Sequence, residues 1–254
     1  MPEPDYLILD NPAIESADLF VGGLDAAIKR RGVASFVLAG GSTPLDLYQW
    51  LASPLYSQLE WDKVHVFWGD ERLVPPDDPG SNYAAARDAL LNRVAFLPKN
   101  IHRIRGELAP DEAAADYAAH LRVWAAAHDP DAPNPWPRFD LVLLGLGEDG
   151  HTASLFPGSP VMADAPVIAV KADYQGRPAG RVTLTPLVFN DAQSIIFLVA
   201  GSNKADAVYN TFYTDDPARF PAQRIGFSDK MEPLWLLDKG AASLLDWRGH
   251  RRPR

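Results

Sequence analysis

Four short apolar runs that end in glycine and polar residues constrain this chain more than any other feature. Each run has the continuous apolar character of a strand buried on both faces, and segments with helical periodicity separate the runs. The four run ends lie at 39–44, 68–72, 144–151 and 200–204. Because the carboxyl ends of parallel strands meet at one edge of a sheet, we expect a single binding crevice there.

The alternation of strands and helices predicts an α/β fold with a single doubly wound, mostly parallel open sheet and helices on both faces, which is Rossmann-like. We predict helices over 13–31, 44–51, 82–91, 110–128, 203–214 and 241–246, and strands over 35–39, 64–68, 101–104, 141–144, 167–170, 182–185, 195–200 and 234–237. The length of 254 residues suits one large domain. We assign that domain to 1–247 and a basic tail to 248–254.

Composition excludes several classes of function. The chain has no cysteine, which excludes disulfides, thiolate metal sites and cysteine nucleophiles. A formal net charge of −9 makes it a poor partner for nucleic acid or for an anionic membrane. No run reaches the length of a transmembrane helix, and the N-terminus lacks the pattern of a signal peptide. We therefore expect a cytoplasmic protein.

His151 is the best candidate for a general base. It follows a glycine-rich turn at the end of a predicted strand, with Asp149 two residues before it. Histidine ordinarily titrates near neutral pH, where general-base catalysis is most efficient. Asp70 is a second candidate carboxylate, able to orient a histidine or to bind a substrate hydroxyl. No two histidines have metal-ligand spacing on a helix, so no metal is predicted.

The junction at Gly41, Ser42 and Thr43 joins a predicted strand to a predicted helix. Its N–H groups and hydroxyls can surround a phosphate at the start of a helix, although an ordinary capped turn has the same sequence. Arg72 can bind phosphate oxygens in pairs, or it can belong to a salt-bridged surface turn. Lys204 is either a second cation for phosphate or a solvated residue at a helix start.

The turn after the third run formally matches a dinucleotide-binding fingerprint. Gly145, Gly147 and Gly150 have the required spacing, but that fingerprint needs a following helix packed on the sheet. Pro157 and Pro160 leave room for one helical turn at most, which disfavours a dehydrogenase. No G-x-S-x-G elbow occurs, so a serine hydrolase is also disfavoured.

Together these segments resemble the 6-phosphogluconolactonases of the glucosamine-6-phosphate isomerase/6-phosphogluconolactonase superfamily. The matching segments occur in order from about Ser35 to 235–238, and they lie at 38–44, 67–74, 81–83, 147–157, 181–185 and 198–205. The resemblance implies hydrolysis of 6-phospho-D-glucono-1,5-lactone to 6-phosphogluconate in the oxidative pentose phosphate pathway. It also implies a small sugar-phosphate substrate, no metal or organic cofactor, and a monomer or weak homodimer.

The resemblance further implies how the site residues act. Arg72 and Lys204, with the turn at 41–43, would hold the 6-phosphate, and His151 would take a proton from the attacking water. The oxyanion would be stabilised by N–H groups of the turn from Gly147 to Gly150. Arg181 would line the pocket. Asp70 would orient His151 or bind sugar hydroxyls.

Two alternative functions remain within the same superfamily. A glucosamine-6-phosphate deaminase would carry glutamate where this chain has Phe156, and tyrosine where it has Arg72; both differences favour the lactonase. A non-catalytic sugar-phosphate sensor often carries an added DNA-binding helix-turn-helix. Only about thirty residues precede the first predicted sheet strand, and they are predicted to form one helix, which disfavours the sensor.

Overall fold

The computed structural model describes residues 4–130, 132–159, 164–226 and 232–245, so the predicted basic tail at 248–254 lies outside the described residues. The described strands are β1 (Asp5–Leu9), β2 (Ala34–Leu38), β3 (Val64–Trp68), β4 (Asp70–Arg72), β5 (Ile101–His102), β6 (Leu141–Leu144), β7 (Val167–Lys171), β8 (Gly180–Leu184), β9 (Ile195–Val199) and β10 (Leu234–Asp238). The α-helices are α1 (Pro12–Glu15), α2 (Ala17–Arg31), α3 (Ser42–Leu51), α4 (Asn82–Ala86), α5 (Pro110–His128), α6 (Pro186–Phe189) and α7 (Ala205–Tyr213).

The main sheet has seven strands in the order β1-β10-β9-β6-β2-β3-β5. Every pairing in it is parallel. From β2 the chain first adds β3 and β5 on one side, and it then adds β6, β9 and β10 on the other. The order therefore reverses between β2 and β6, which is the point where doubly wound sheets open a crevice for ligands. The predicted α/β fold class is confirmed.

A second, antiparallel sheet of three strands has the order β4-β8-β7. The segment Asp70–Arg72 was expected to be a turn, and that expectation is wrong: it is a strand in which Arg72 pairs with Arg181 of β8. Gly69 alone separates β4 from β3, so the chain passes directly from the parallel sheet into the small one. The predicted strands near 167–170 and 182–185 also belong to the small sheet.

Other predicted elements also differ in the structure. The expected single helix over 13–31 is broken at Ser16 into α1 and α2. The expectation that the first sheet strand lies near residue 35 is wrong, because β1 precedes both helices and pairs with β10. Residues 241–245 form turns rather than a helix, and Asp246 lies outside the described residues. None of the helices in the described part is long and apolar enough to cross a membrane.

Two buried tyrosines hold the ends of β2 and β3. The Tyr48 hydroxyl donates to the carbonyl of Ala39 at 2.8 Å and accepts from its N–H at 2.9 Å. The Tyr117 hydroxyl makes the same pair of bonds with Trp68, each at 3.1 Å. A buried backbone N–H or C=O group without a hydrogen-bond partner costs free energy. The two hydroxyls supply these partners where strand pairing ends. The two glycine turns that follow therefore start from fixed positions.

A chain of hydrogen-bonded histidines joins β3, β5 and α5. Trp124 Nε1 donates to His65 Nδ1 at 3.1 Å, His65 Nδ1 lies 2.9 Å from His102 Nε2, and His102 Nδ1 lies 2.7 Å from His120 Nε2. The indole N–H can only donate, so His65 Nδ1 must accept. His102 Nε2 then donates to the same lone pair of His65 Nδ1, in a three-centre arrangement with the indole, and His120 Nε2 donates to His102. The tryptophan thus fixes the tautomer of all three neutral rings.

This chain of histidines should make folding stability sensitive to acid. Burial, reinforced by nearby positive groups, lowers the pKa of His65 to about 4 and that of His102 to about 3. Both values lie below the ordinary value of 6.5. Between pH 6.5 and these lowered pKa values, the unfolded chain therefore binds more protons than the folded protein does. The free energy of unfolding should fall as the pH drops from 6.5 toward 4, by at most about 1.4 kcal/mol per pH unit for each histidine.

Denaturant unfolding at several pH values measures this slope. In the His102→Gln variant the absolute stability will be lower, but the slope between pH 6.5 and pH 4 should be smaller because one buried titration is gone. Equal slopes in the wild-type protein and the variant would contradict the assignment.

Candidate active site

A cleft opens at the carboxyl ends of β9, β6, β2 and β3, which are consecutive neighbours in the main sheet. These are the four strands whose ends carry the glycine motifs, so the prediction that the motifs share one crevice is confirmed. The empty volume is about 870 Å³ including the open mouth. The predicted site residues that line it are Gly41, Ser42, Thr43, Asp70, Arg72, Gly147, His151, Arg181 and Lys204. Asp149 and Gly150 are not among its lining residues.

His151 is oriented by Asp149. Its Nδ1 lies 2.6 Å from Asp149 Oδ1, which also accepts the backbone N–H of His151 at 3.1 Å. Burial acts to raise the pKa of Asp149, but the hydrogen bond and charge of His151 outweigh it, so the pKa is lower than usual. An ionised carboxylate requires a proton on Nδ1. Nδ1 is therefore the donor of this pair, and Nε2 is the ring nitrogen left to exchange a proton.

The glycines of this turn are needed by its geometry. A Cβ on Gly147 would lie 2.0 Å from His151 Nδ1 and 2.6 Å from Asp149 Oδ1. Gly150 has a φ of +85°, and a Cβ there would lie 2.7 Å from Phe220 Cδ1. The turn thus packs the histidine–aspartate pair directly against bare backbone.

The amides of Gly147 and Gly150 do not serve as the predicted oxyanion donors. The N–H of Gly147 donates to the carbonyl of His151 at 2.7 Å, and the N–H of Gly150 donates to the carbonyl of Gly147 at 3.0 Å. Both groups are used in closing the turn. The sequence shows the glycines but not the direction of their N–H groups, so the prediction fails for these two amides of the turn for a geometric reason.

Two aromatic rings surround the imidazole of His151. Phe156 stacks on it with ring centroids 4.3 Å apart and an interplanar angle of 24°. Tyr174, in the connection between β7 and β8, meets it edge-on at 4.6 Å. The side chain of His151 is only 13% exposed. Tyr174 belongs to no recognised motif, so it could not be identified from the sequence.

The junction after β2 presents the start of a helix to the cleft. Helix α3 begins at Ser42, two residues before the predicted start at Pro44, and Gly41 is its N-cap with a φ of 104°. The first N–H groups of a helix have no partner within it and carry partial positive charge. Ser42 and Thr43 add hydroxyls to this first turn. The arrangement can bind an anion.

Four cations line the cleft of a protein whose formal net charge is −9. Arg72 and Lys204 were expected to act together, Arg181 was expected to line the pocket, and Arg177 was missed because it lies in the unrecognised connection between β7 and β8. Burial lowers the pKa of Lys204, although Glu148 and Asp149 act to raise it. Burial likewise lowers the pKa of Arg181, although Asp70 acts to raise it.

The two arginines of the small sheet have unused donors. Arg72 Nη1 donates to the carbonyl of Gly80 at 2.7 Å. Buried atoms without a hydrogen-bond partner among the described residues include Arg72 Nε and both Nε and Nη2 of Arg181. Buried donors of this kind are rare unless a ligand or water satisfies them. Both side chains line the cleft, so a bound anion is a natural partner.

Asp70 does not orient His151. Its Oδ2 accepts the hydroxyl of Ser154 at 2.6 Å, and its Oδ1 accepts Nδ2 of Asn82 at 3.3 Å. Asn82, which also lines the cleft, packs so tightly under Gly40 that a Cβ there would lie 2.1 Å from its Oδ1. Of the two roles that the sequence left open for Asp70, contact with substrate is the one compatible with this geometry.

The fold and the cleft define a class: doubly wound α/β proteins with a carboxylate-oriented histidine and an anion-binding helix start at the switch point of the sheet. A family model described as glucosamine-6-phosphate isomerases/6-phosphogluconolactonase matches residues 10–235. The chain belongs to this family.

Individual relatives agree with this assignment. The chain is 41% identical to a 6-phosphogluconolactonase from Nostoc sp. over 232 residues, which cover 91% of this chain and 92% of the relative. The solved structure of 6-phosphogluconolactonase from Trypanosoma brucei superimposes with a TM-score of 0.80 at 29% identity, covering 96% of this chain and 99% of that one. A monomeric glucosamine-6-phosphate deaminase has a TM-score of 0.79 at 19% identity, with coverage of 95% and 99%. That last likeness shows the shared fold alone.

Replacing Gly147 with alanine should break the histidine–aspartate pair. The new methyl group would overlap His151 Nδ1 and Asp149 Oδ1, which are the two hydrogen-bonded atoms of the pair. NMR of the His151 ring nitrogens should show loss of the single Nδ1–H tautomer. Gly145→Ala is the matched control, since a Cβ there meets no atom within 4 Å and should leave the ring signals unchanged. A normal His151 tautomer in Gly147→Ala would refute the packing argument.

Proposed function

We propose that this protein hydrolyses 6-phospho-D-glucono-1,5-lactone to 6-phospho-D-gluconate in the oxidative pentose phosphate pathway. The observation that carries the proposal is the location of His151, held at Nδ1 by Asp149, in the same cleft as Arg72, Arg181 and Lys204. A reactive carbonyl and a phosphate dianion on one small molecule need this combination of a base and cations. The family and the Nostoc relative support the choice of substrate.

His151 acts as the base through Nε2. A water molecule attacks C1 of the lactone while its proton passes to Nε2, and the resulting imidazolium is stabilised by the Asp149 carboxylate. The C1–O5 bond then breaks, and the proton on Nε2 passes to the departing ring oxygen. A positioned general base contributes roughly 10²–10⁴ in rate, and the lactone carbonyl is already reactive enough for this to suffice.

Arg181 stabilises the anionic oxygen that forms on C1. It replaces the amides of Gly147 and Gly150, which are used within their turn. Its Nε and Nη2 form one edge of the guanidinium, and both are buried without a hydrogen-bond partner among the described residues. Donors already aimed at the position of developing charge give the largest single contribution in many enzymes.

The phosphate lies at the start of α3. The first-turn N–H groups and the hydroxyls of Ser42 and Thr43 bind its oxygens, and Arg72 and Lys204 neutralise its charge. Asp70 accepts a hydroxyl of the sugar between the phosphate and C1. With both ends of the substrate held, C1 is brought to His151, and positioning of this kind lowers the barrier further.

The remaining expectations belong to the same proposal. The protein acts on a small sugar phosphate and has no nucleic-acid partner, because its overall charge repels polyanions. We place it in the cytoplasm, as a monomer or weak homodimer, with 1–247 as one domain.

Deaminase activity is disfavoured by a specific contact. The glutamate expected of a deaminase is replaced by Phe156, and that ring packs on His151 with no carboxylate to offer. The structural likeness to a deaminase is at the level of the fold.

The activity can be tested with freshly generated lactone. Formation of 6-phosphogluconate should exceed the spontaneous rate, and glucosamine 6-phosphate should release no ammonia. His151→Asn should lower kcat by roughly 10²–10⁴, because the general base is lost. It also serves as the control for contaminating lactonase. Decay of the lactone at its spontaneous rate with the wild-type protein would reject the proposed function.

Lys204→Ala should raise KM more than it lowers kcat, because the lost cation neutralises the phosphate. A charge-assisted hydrogen bond contributes about 1.5–3 kcal/mol, which corresponds to an increase of roughly 10- to 150-fold. The exposed Lys171 at the end of β7 provides the control, and Lys171→Ala should leave KM unchanged. A fall in kcat with unaltered KM in Lys204→Ala would contradict its assignment to the phosphate.

A further inference from the structure

The imidazole of His151 is held by rings from two separate parts of the chain. Phe156 follows it by five residues and stacks on its face at 4.3 Å, whereas Tyr174 comes from the connection between β7 and β8 and meets it edge-on at 4.6 Å. The two aromatic rings also meet each other, with centroids 5.8 Å apart. The three rings therefore form one cluster, which we call the aromatic clamp.

The hydrogen bond from His151 to Asp149 fixes only one atom of the ring. It holds Nδ1 at 2.6 Å from Oδ1 but leaves the imidazole free to tilt about that contact. Tilting moves Nε2, which is the atom across the ring that takes the proton. A flat neighbour on the face and a second ring at the edge remove this freedom, because each preferred aromatic geometry has a narrow range of angles.

Phe156 also connects the base to a guanidinium group. The Cζ atom of Arg181 lies 5.2 Å from the centroid of the Phe156 ring, within the range of a cation–π contact. One aromatic ring thus contacts both His151 and Arg181. The distance between the proton acceptor and the cation that faces the substrate is set by this ring.

Tyr174 is itself fixed to the wall of the cleft. Its hydroxyl accepts the backbone N–H of Glu148 at 3.4 Å. The Glu148 side chain accepts Nε2 of Gln175 at 3.2 Å and Nδ2 of Asn203 at 2.7 Å. The connection that carries Tyr174 is therefore bound to the turn before His151 and to the residues after β9.

We propose that Phe156 and Tyr174 are positioning residues that fix the plane of the His151 imidazole, with Phe156 also setting its separation from Arg181. This inference rests on the proposed function, in which Nε2 of His151 takes a proton from water. Phe156 carries no group that can react with the substrate, and the hydroxyl of Tyr174 accepts the N–H of Glu148. Their effect is on how often Nε2 points at the water when C1 is in place.

Replacement of the Phe156 ring tests the clamp. Phe156→Leu keeps an apolar side chain but removes the flat face, so kcat should fall by about 10- to 100-fold, as expected when a reacting group is displaced by about 1 Å. KM should change less than about 3-fold, since the phosphate contacts lie elsewhere. Phe156→Tyr keeps the ring and should retain nearly the full kcat. Phe96→Leu removes a half-buried ring that packs on Trp61, and as a control it should leave both constants unchanged.

Tyr174→Leu tests the same inference from the other side of the cluster and is independent of how Phe156→Leu folds. It should also lower kcat at constant KM. Unchanged kcat in both leucine variants would overturn the inference. A Phe156→Tyr protein as slow as Phe156→Leu would overturn it as well, since both would then reflect damaged packing rather than a lost ring.

A measurement without turnover separates this inference from the proposed function. ¹³C relaxation at Cε1 of His151 reports ring motion whether or not the lactone is hydrolysed. The relaxation should report a rigid His151 ring in the wild-type protein and in Phe156→Tyr, and a mobile ring in Phe156→Leu. A wild-type protein that shows this pattern but no lactonase activity would reject the proposed function and leave the clamp intact. A rigid ring in Phe156→Leu would reject the clamp.

Discussion

The register of four neighbouring parallel strands is the constraint on which the rest of the structure depends. β9, β6, β2 and β3 end at the same edge, so four turns distant in sequence become the walls of one cleft. Tyr48 and Tyr117 satisfy the last backbone groups of β2 and β3, which fixes where each turn begins. A slip of one residue in this pairing would turn every buried side chain toward the opposite face. The same strand register is therefore required both to pack the apolar core and to place the site.

Several side chains of the site are positioned by their close approach to backbone at glycine residues. Gly147 lets the His151–Asp149 pair lie against backbone, and Gly40 does the same for Asn82. Glu71 accepts the N–H groups of Arg72, Asn82 and Tyr83 and the hydroxyl of Ser81, so one buried carboxylate ties β4 to the start of α4. These close contacts restrict the side chains that line the cleft.

The sequence predicted the elements whose pattern is local. Strands Val64–Trp68 and Leu141–Leu144 and helix Pro110–His128 have the predicted bounds, because apolar runs and helical periodicity identify them directly. Strand β4 was missed because Asp70, Glu71 and Arg72 have poor strand propensity and are held extended by pairing with β8. In the site, the glycine motifs located His151, Arg72 and Lys204, and the family resemblance added Arg181. The directions of the Gly147 and Gly150 N–H groups depend on the backbone conformation, which the motif does not show. Tyr174 and Arg177 lie in a loop without a motif, so neither could be predicted.

The division of the molecule into two sheets gives the walls of the cleft two origins. His151 and the start of α3 follow strands of the parallel sheet, whereas Arg72 and Arg181 stand on paired strands of the small sheet and Arg177 lies in its connection. A displacement of the small sheet as a unit would move these three guanidinium groups together and change the electrostatic field in the cleft. It would also reach His151, because Tyr174, from the same connection as Arg177, contacts the imidazole, and Arg181 contacts Phe156. The bonds of Ser154 to Asp70 and Thr183 add a further link between the small sheet and the loop after β6. The charge in the cleft and the orientation of His151 are thereby mechanically coupled in this fold.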